Sequence, residues 1–363
     1  MQQSIRYLKS SDQVRLAWAS SGEGPPFVKV SNWLTHLNYD LDSPLWRHWI
    51  ETLSAHFRLI RYDERGCGMS DWEASDLSSE RWSADLEEII DVSDPGEQFV
   101  LFGASQGTAA AVAYAVSHPR RVSHLILYGG YALGWARRGD RDEQLRYQAI
   151  VDLIRTGWGK ENPVFRQVFT ARFVPEARTE QIAWFNELCR RTTSPEMAAR
   201  LLVARGQTDF RDLLPQVRVP TLVLHARRDE VVPFSMGQML ATEIPGAEFI
   251  ELDSRNHILL ADEPAWARFR DAMLEFTGRA VLISEDPRLV ALTAREREIL
   301  AAVVGGQTNA EIGATLFLSE KTVRNSLTRI FDKLGVHSRT QAAVLARDRG
   351  WPLALPARGR PTP

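Results

Sequence analysis

The 363-residue chain is poor in cysteine and has no long apolar run. Its two cysteines, Cys67 and Cys189, are too few to indicate a disulfide framework, so a reducing compartment is expected. No apolar stretch reaches the ~18 residues that a membrane-spanning helix needs. The N-terminal segment MQQSIRYLKSSDQVR lacks the apolar centre of a signal peptide. We therefore expect a cytoplasmic protein that does not associate with membranes.

A strong excess of one charge is absent from the chain as a whole but not from its parts. The net charge is −2, and 44% hydrophobic with 25% charged residues is ordinary for a globular protein. That composition excludes collagen-like and disordered chains. Residues 291–363, however, hold eleven lysines and arginines against six acidic residues, whereas the remainder holds 33 against 40. A basic C-terminal part on an acidic body predicts contact with a polyanion.

Apolar strands that alternate with helices predict an α/β domain with a parallel sheet covered on both faces. Helices are predicted near 43–55, 80–92, 106–117 and 264–277. A helical segment at about 132–218 interrupts the alternation and is predicted to form a lid over the carboxyl edge of the sheet. The predicted strands are Val14–Ala19, Phe27–Val30, Phe57–Tyr62, Phe99–Phe102, Leu125–Tyr128, Thr221–His225 and Phe249–Leu252.

The chain is predicted to contain two domains. The α/β domain covers 1–280, a linker 281–291, and a small all-α domain 292–350. A proline-rich tail follows at 351–363. Short helices in the second domain begin at N-cap residues that satisfy free backbone N–H groups. These N-cap candidates are Thr293 with Glu296, Thr308 with Glu311, Ser338 with Gln341, and Ser319 alone.

A candidate nucleophile lies directly after the predicted strand Phe99–Phe102. The segment Gly103-Ala-Ser105-Gln-Gly107 has the G-x-S-x-G pattern of a nucleophile elbow, and a helix of small residues follows it. A serine nucleophile needs a base and a carboxylate that orients the base. Asp229 and His257 follow two later strands in the order Ser, Asp, His. Each residue alone is more often a turn former or an ordinary histidine, but together they predict a catalytic triad.

Two backbone N–H groups are expected to stabilise the oxyanion of such a site. One is that of Gln106, the residue after the nucleophile. The other is that of Trp33, in the loop after the strand Phe27–Val30. Trp33 is equally well interpreted as a wall of the pocket, so both roles stay open. No metal and no cofactor is expected.

Residues 1–280 resemble the α/β-hydrolase superfamily. The resemblance covers the elbow, the segment Tyr62-Asp-Glu-Arg-Gly-Cys-Gly-Met-Ser70 and the segment Pro119-Arg-Arg-Val-Ser-His-Leu-Ile-Leu-Tyr-Gly. It implies an α/β-hydrolase fold with a helical lid. The chain departs from many members after the third strand of the family, where Ser31-Asn32 replaces His-Gly. Because Asn tolerates a positive φ less well than Gly, this substitution bears on the oxyanion geometry.

The third helix of the C-terminal domain has one apolar and one basic face. Its apolar stripe is expected to face a core and consists of Val323, Leu327, Ile330 and Leu334. The opposite face suits a helix that lies in the major groove of DNA, although a solvated helix face is the alternative. Lys333, at the flank of the helix, is expected to contact a phosphate. The other predicted DNA contacts are Lys321, Thr322, Arg324, Asn325, Thr328 and Arg329.

Residues 292–348 closely resemble the DNA-binding domain of LuxR-type transcription regulators. The shared motifs are Leu292-Thr-x-Arg-Glu-x-Glu-Ile-Leu, Asn309-x-Glu-Ile, Leu318-Ser-x-x-Thr-Val-Arg, Lys333-Leu-Gly-Val and Ser338-Arg-x-x-Ala342. The resemblance implies a helix-turn-helix with a supporting helix at 308–316 and a recognition helix at 320–334. A fourth helix from Arg339 would serve dimerisation. Ser326 stands where many relatives have histidine.

Three functions compete on these grounds. The first is a transcription regulator, binding operator DNA as a homodimer on an inverted repeat, whose hydrolase-fold domain senses a small molecule with or without hydrolysing it. The second is a serine hydrolase in which the DNA-binding domain is secondary. The third is a regulator whose catalytically silent hydrolase scaffold serves ligand sensing and dimerisation. Aromatic residues of the predicted lid favour an ester, lactone or amide with an apolar portion.

Overall fold

A computed structural model describes residues 3–160, 165–279, 287–316 and 318–348. The chain divides into two compact units, Met1–Met273 and Leu274–Pro363. Within the described ranges, no helix combines the length and the apolar character needed to cross a membrane. Most of the predicted linker at 281–291 and all of the predicted tail at 351–363 lie outside the described residues.

The first unit is built on one sheet of eight strands, in the order β1-β2-β4-β3-β5-β6-β7-β8. β1 and β2 pair antiparallel, as do β2 and β4, and the remaining neighbours pair parallel. The predicted parallel sheet is thus confirmed for β3 to β8, whereas β2, which corresponds to the predicted strand Val14–Ala19, pairs antiparallel with both neighbours. Its strands are β1 Ser4–Lys9, β2 Arg15–Ser21, β3 Pro26–Lys29, β4 Arg58–Tyr62, β5 Phe99–Ala104, β6 Val122–Tyr128, β7 Thr221–Ala226 and β8 Glu248–Leu252.

One strand was not expected from the sequence. β1 has the sequence SIRYLK and no buried residue, so it lacks the apolar signal of an interior strand. Its place is fixed by backbone pairing with β2, from Ser4 opposite Ser20 to Lys9 opposite Arg15. An edge strand of this kind is defined by its partner more than by its own side chains.

Helices cover both faces of the sheet and build the lid. The central strand β5 is buried along its whole length, as a strand covered on both faces must be. The main helices of this unit are α1 Arg47–His56, α2 Ser79–Ser93, α3 Gly107–Ser117, α4 Arg141–Gly157, α5 Thr179–Thr192, α6 Pro195–Gly206, α7 Phe234–Glu243 and α8 Pro264–Phe276. Helices α4 to α6, with a short π-helical turn at Arg166–Thr170, form the lid.

The lid is anchored to the sheet by hydrogen bonds just before its last helix. Thr192 Oγ1 donates to the carbonyl oxygen of Thr35 at 2.6 Å, and Gly68 N–H donates to the carbonyl oxygen of Thr192 at 2.7 Å. Thr193 Oγ1 donates to the carbonyl oxygen of Gly66 at 2.5 Å. The partners of the two threonines lie in loops at the carboxyl ends of β3 and β4. The lid is therefore fixed over the edge of the sheet where α/β proteins bind ligands.

The second unit contains four helices of eight residues or more in its described part. They are α9 Ala294–Val304, α10 Asn309–Leu316, α11 Glu320–Leu334 and α12 Arg339–Asp348. The predicted N-caps are formed. Thr293 and Glu296 make a reciprocal capping box, and the Ser319 hydroxyl accepts from Thr322 N–H. The positions of α10 and α11 match the predicted supporting and recognition helices.

Candidate active site and DNA-binding helix

Ser105 occupies a strained turn between β5 and α3. Its φ is +51°, in the left-handed region that residues with a side chain rarely adopt. The two glycines of the motif allow close packing around it. A Cβ on Gly103 would lie 2.9 Å from the Cβ of Ala111, and one on Gly107 would lie 2.8 Å from the carbonyl oxygen of Ser31. The segment thus has the backbone geometry of a nucleophile elbow.

His257 and Asp229 form a close pair at the carboxyl ends of β8 and β7. His257 Nδ1 lies 2.6 Å from Asp229 Oδ2. The other carboxylate oxygen, Oδ1, accepts from the N–H groups of Val231 at 2.8 Å and Val232 at 3.0 Å. Complete burial by itself raises the pKa of Asp229, but the rings of His257 and His225 and the N–H group of Val232 outweigh it, and the net shift is downward. Asp229 is thus an ionised carboxylate in direct contact with the His257 ring.

Ser105 and His257 line one narrow cavity together with Asn32 and Trp33. The structure describes no hydrogen bond between Ser105 Oγ and the His257 ring. Contacts between a nucleophile and its base often tighten only when substrate is bound. The shared cavity shows that both residues face the same space. The main-chain atoms of His257 are held by the lid, because its N–H donates to the carbonyl oxygen of Phe173 at 2.8 Å.

The two N–H groups predicted to stabilise an oxyanion are free. Neither Gln106 N–H nor Trp33 N–H has a hydrogen-bond partner among the described residues. A side-chain hydrogen bond holds the loop that carries Trp33, since Asn32 Oδ1 accepts from the buried Lys29 ammonium. Burial lowers the pKa of Lys29 to about 8. The positive φ in this loop, +64°, falls on Leu34 and not on Asn32.

The indole of Trp33 also lines the pocket, stacking on Trp158 at a centroid distance of 5.8 Å. A cavity of about 50 Å³ extends from Ser105 to the lid. Its wall is mainly aromatic and aliphatic, as a site for a ligand with an apolar portion requires. The lining residues are Trp33, Ser105, Gln106, Tyr131, Trp135, Arg138, Tyr147, Ile150, Phe169, Arg172, Phe173, Leu202, Arg205, Val231 and Val232.

A second histidine, His225, lies next to Asp229 and was not identified from the sequence. His225, at the end of β7, is fully buried, and its Nε2 lies 3.9 Å from Asp229 Oδ2. Burial lowers the pKa of His225, which favours the neutral ring, and its Nε2 lies 3.1 Å from the carbonyl oxygen of Val232. No sequence signal distinguishes His225 from an ordinary strand residue, because its position beside Asp229 depends on tertiary packing.

The recognition helix α11 presents the two faces that its sequence predicts. Val323, Leu327, Ile330 and Leu334 are buried in the core of the second unit. The side chains of Lys321 and Asn325 make no hydrogen bond within the described residues, whereas Thr328 Oγ1 donates to the carbonyl oxygen of Arg324. The exposed residues of the opposite face are Lys321, Thr322, Arg324, Asn325, Thr328 and Arg329.

The family comparisons cover both units of the chain. Residues 37–264 match the model of the alpha/beta hydrolase fold family. The chain belongs to this family. It is 28% identical over 260 residues to the AB hydrolase superfamily protein YisY of Bacillus subtilis (strain 168), which covers 69% of this chain and 91% of that protein. A crystal structure of a hydrolase from Pseudomonas aeruginosa PA01 superposes with a TM-score of 0.62 at 23% identity, over 76% of this chain and 98% of that one.

The second unit of this α/β-hydrolase chain matches a different family. Residues 290–346 match the model of bacterial regulatory proteins of the luxR family. Over 56 residues the chain is 54% identical to the transcriptional regulatory protein LiaR of Bacillus subtilis (strain 168), which covers 15% of this chain and 26% of that protein. The chain therefore carries a LuxR-type helix-turn-helix DNA-binding domain joined to a hydrolase-fold domain.

Lys333, which the sequence predicts to contact a phosphate, makes contacts within the second unit. Its Nζ lies 2.6 Å from Glu296 Oε2 and donates to the carbonyl oxygen of Ala291 at 3.1 Å. The lysine charge is thus neutralised by the glutamate that also closes the capping box of α9. The physical reason is tertiary: the end of α11 packs against the start of α9, which the helical wheel of α11 alone does not show.

We expect Glu296→Gln to destabilise the second unit by about 1 kcal/mol, because the ion pair with Lys333 is lost. Partial desolvation raises the pKa of Glu296, but hydrogen bonds from Lys333 and Thr293 outweigh it and lower the pKa below its usual 4.5. The contribution is therefore complete above about pH 4.5 and is lost as the pH falls through the lower folded pKa. Thermal unfolding between pH 3 and pH 7 measures this difference. If the wild-type protein is more stable than the variant by the same amount at pH 3 and at pH 7, the ion pair of Glu296 with Lys333 is contradicted.

Proposed function

We propose that the protein is a ligand-controlled DNA-binding regulator whose hydrolase-fold unit takes a small ester, lactone or amide at Ser105. The observation that carries this proposal is the 2.6 Å pair of His257 and Asp229 beside a serine held at φ +51°. A strained nucleophile turn costs stability, and such strain is typical of sites that use it. The strained turn at Ser105 therefore favours a working site over a silent scaffold.

The proposed chemistry gives each of the three residues one role. Ser105 Oγ attacks the acyl carbon while His257 Nε2 takes the hydroxyl proton, and the electron pair of the C=O bond moves to the oxygen. The free N–H groups of Gln106 and Trp33 are suited to stabilise that oxyanion. When the tetrahedral intermediate collapses, the leaving alkoxide or amine takes the proton from His257. Water then attacks the acyl-serine and gives a proton to His257. His257 returns that proton to Ser105 Oγ as the second tetrahedral intermediate collapses and the acid leaves.

The DNA-binding unit completes the proposal. We infer that two copies of this cytoplasmic protein bind an inverted repeat whose half-sites are about one helical turn, ~10 base pairs, apart. Helix α11 would lie in the major groove, and α12 would hold the two copies together. The exposed Lys321 and Asn325 on α11, whose side chains make no hydrogen bonds within the described residues, support this orientation. Protection of a single half-site by a monomer at full affinity would contradict it.

The proposal is tested by occupying Ser105 and measuring DNA binding by the full chain. An operator is first selected from random duplex DNA. A fluorophosphonate probe should then label Ser105. We expect the Kd of the labelled protein for that operator to differ at least fivefold from the Kd of the unlabelled protein, about 1 kcal/mol of coupling. Ser105→Ala protein, treated with the same probe, is the matched control and should show neither labelling nor a change in Kd.

Two results would favour the competing functions. Folded protein that resists the probe would support a silent hydrolase scaffold. Labelling at Ser105 with an unchanged Kd would support a serine hydrolase whose DNA-binding domain is secondary. Ser105→Ala protein that still responds to a natural ligand would show that occupancy, without turnover, is the signal, since loss of a triad serine removes chemistry while binding remains.

A further inference from the structure

Three residues that line the cavity beside Ser105 carry buried side-chain N–H donors with no acceptor among the described residues. The nitrogen atoms are Trp33 Nε1, Gln106 Nε2, and Nε and Nη1 of Arg205, and none has a hydrogen-bond partner among the described residues. The three residues line the same cavity as the nucleophile. A buried donor without a partner is costly, and native proteins satisfy most such groups. A cavity with several of them matches a ligand that supplies acceptors.

Arg205 is held rigidly in that wall. It lies on α6 of the lid and is only 3% exposed. Its guanidinium carbon lies 5.5 Å from the ring centroid of Trp33 and 5.3 Å from that of Trp82. Nη2 donates to Glu64, which leaves Nε and Nη1 available. A guanidinium fixed in this way loses little conformational entropy when it binds an anion.

The charge of the residues that line the cavity also favours a ligand that supplies acceptors. Three arginines line it, and none of its described lining residues carries a carboxylate. The guanidinium of Arg138 is already engaged, by Glu143 at 2.6 Å and by the carbonyl oxygen of Leu133 at 2.9 Å. Arg172 donates to Tyr147 Oη at 3.3 Å and to the carbonyl oxygen of Glu230 at 3.1 Å. Of the three, Arg205 is thus the one with buried donors to spare.

We propose that the acyl ligand of Ser105 carries a second, anionic oxygen group, a carboxylate, which accepts hydrogen bonds from Arg205 and Gln106. The ligand class is then a half-ester or half-amide of a dicarboxylic acid, or a lactone that bears a carboxylate. This inference rests on the proposed function of Ser105 as the nucleophile. The apolar lining of the cavity holds the carbon chain between the two oxygen-bearing ends.

The test is competition against fluorophosphonate labelling of Ser105 in the full chain. The competitors are half-methyl esters of straight-chain dicarboxylic acids from succinate to suberate. Each is paired with the methyl ester in which a methyl group replaces the carboxylate. We expect at least one acid to protect Ser105 about tenfold better than its neutral counterpart, the size of effect typical of a hydrogen bond to a charged group.

Arg205→Lys should reduce that preference at least fivefold, because lysine keeps the charge beside Glu64 but lacks the planar N–H groups. The ratio of acid to neutral ester is measured on one protein, so differences in folding or labelling rate cancel. Arg200→Lys, on the same helix and outside the cavity lining, is the matched control and should keep the preference.

The outcomes separate the two proposals. If the probe labels Ser105 and no acid protects better than its neutral counterpart, the carboxylate inference is overturned while the nucleophile stands. The same holds if the preference survives unchanged in Arg205→Lys protein. If the probe labels no serine in folded protein, the proposed function fails and this inference fails with it.

Discussion

Asp229→Asn should slow fluorophosphonate labelling of Ser105 by about 10⁴-fold, the loss typical of a triad whose histidine is held in the wrong tautomer. In the proposed triad the ionised carboxylate, 2.6 Å from His257 Nδ1, accepts from Nδ1–H and leaves Nε2 free to take the serine proton. An asparagine can present its NH₂ group to Nδ1 instead, and then Nε2 carries the hydrogen and cannot act as a base. The measurement is the second-order labelling rate.

The fold should survive this substitution. The amide side chain of the variant keeps an oxygen that can accept from the N–H groups of Val231 and Val232, as Oδ1 of the aspartate does. Asp253→Asn is the matched control, because Asp253 follows β8, is exposed and pairs with Arg228. It should label at the wild-type rate. A loss of less than tenfold in Asp229→Asn protein would mean that His257 does not depend on Asp229 for its orientation.

The second large effect is expected on the recognition helix. Lys321→Ala and Asn325→Ala should each weaken operator binding about tenfold and relax base preference at one or two positions. An asparagine paired with adenine, or a lysine with guanine, is worth ~1–3 kcal/mol of discrimination. Both side chains are exposed and without hydrogen bonds within the described residues, so DNA is their available partner. Titration against operator and scrambled DNA at several salt concentrations measures both affinity and preference.

Lys333→Met is the control for charge on the same helix. Its ammonium is already paired with Glu296, so we expect the slope of log K against log salt to stay unchanged, apart from any loss of folded protein. A lysine that contacts a phosphate would instead lower the slope by about 1. If Lys333→Met changed base preference while Lys321→Ala and Asn325→Ala left it intact, the orientation proposed for α11 would be wrong.

Much of the architecture was predictable because its signals are local. Alternating apolar strands and helices indicated the parallel sheet, and the glycines around Ser105 indicated a tight turn that the φ of +51° bears out. The N-cap residues fixed where helices of the second unit begin, and the apolar spacing in α11 separated its buried from its exposed face. Each of these features depends on residues within one or two turns of helix or one strand.

Tertiary structure decided what depends on contacts between distant segments. β1 is a strand because β2 pairs with it, since its own side chains are not buried. Lys333 is occupied by Glu296, 37 residues earlier, which the wheel of α11 does not reveal. Arg205 meets Glu64, 141 residues away, only because the lid folds back over the sheet. Sequence thus determined the chemistry available on this chain, whereas the fold decided which donors and charges remain free for a ligand.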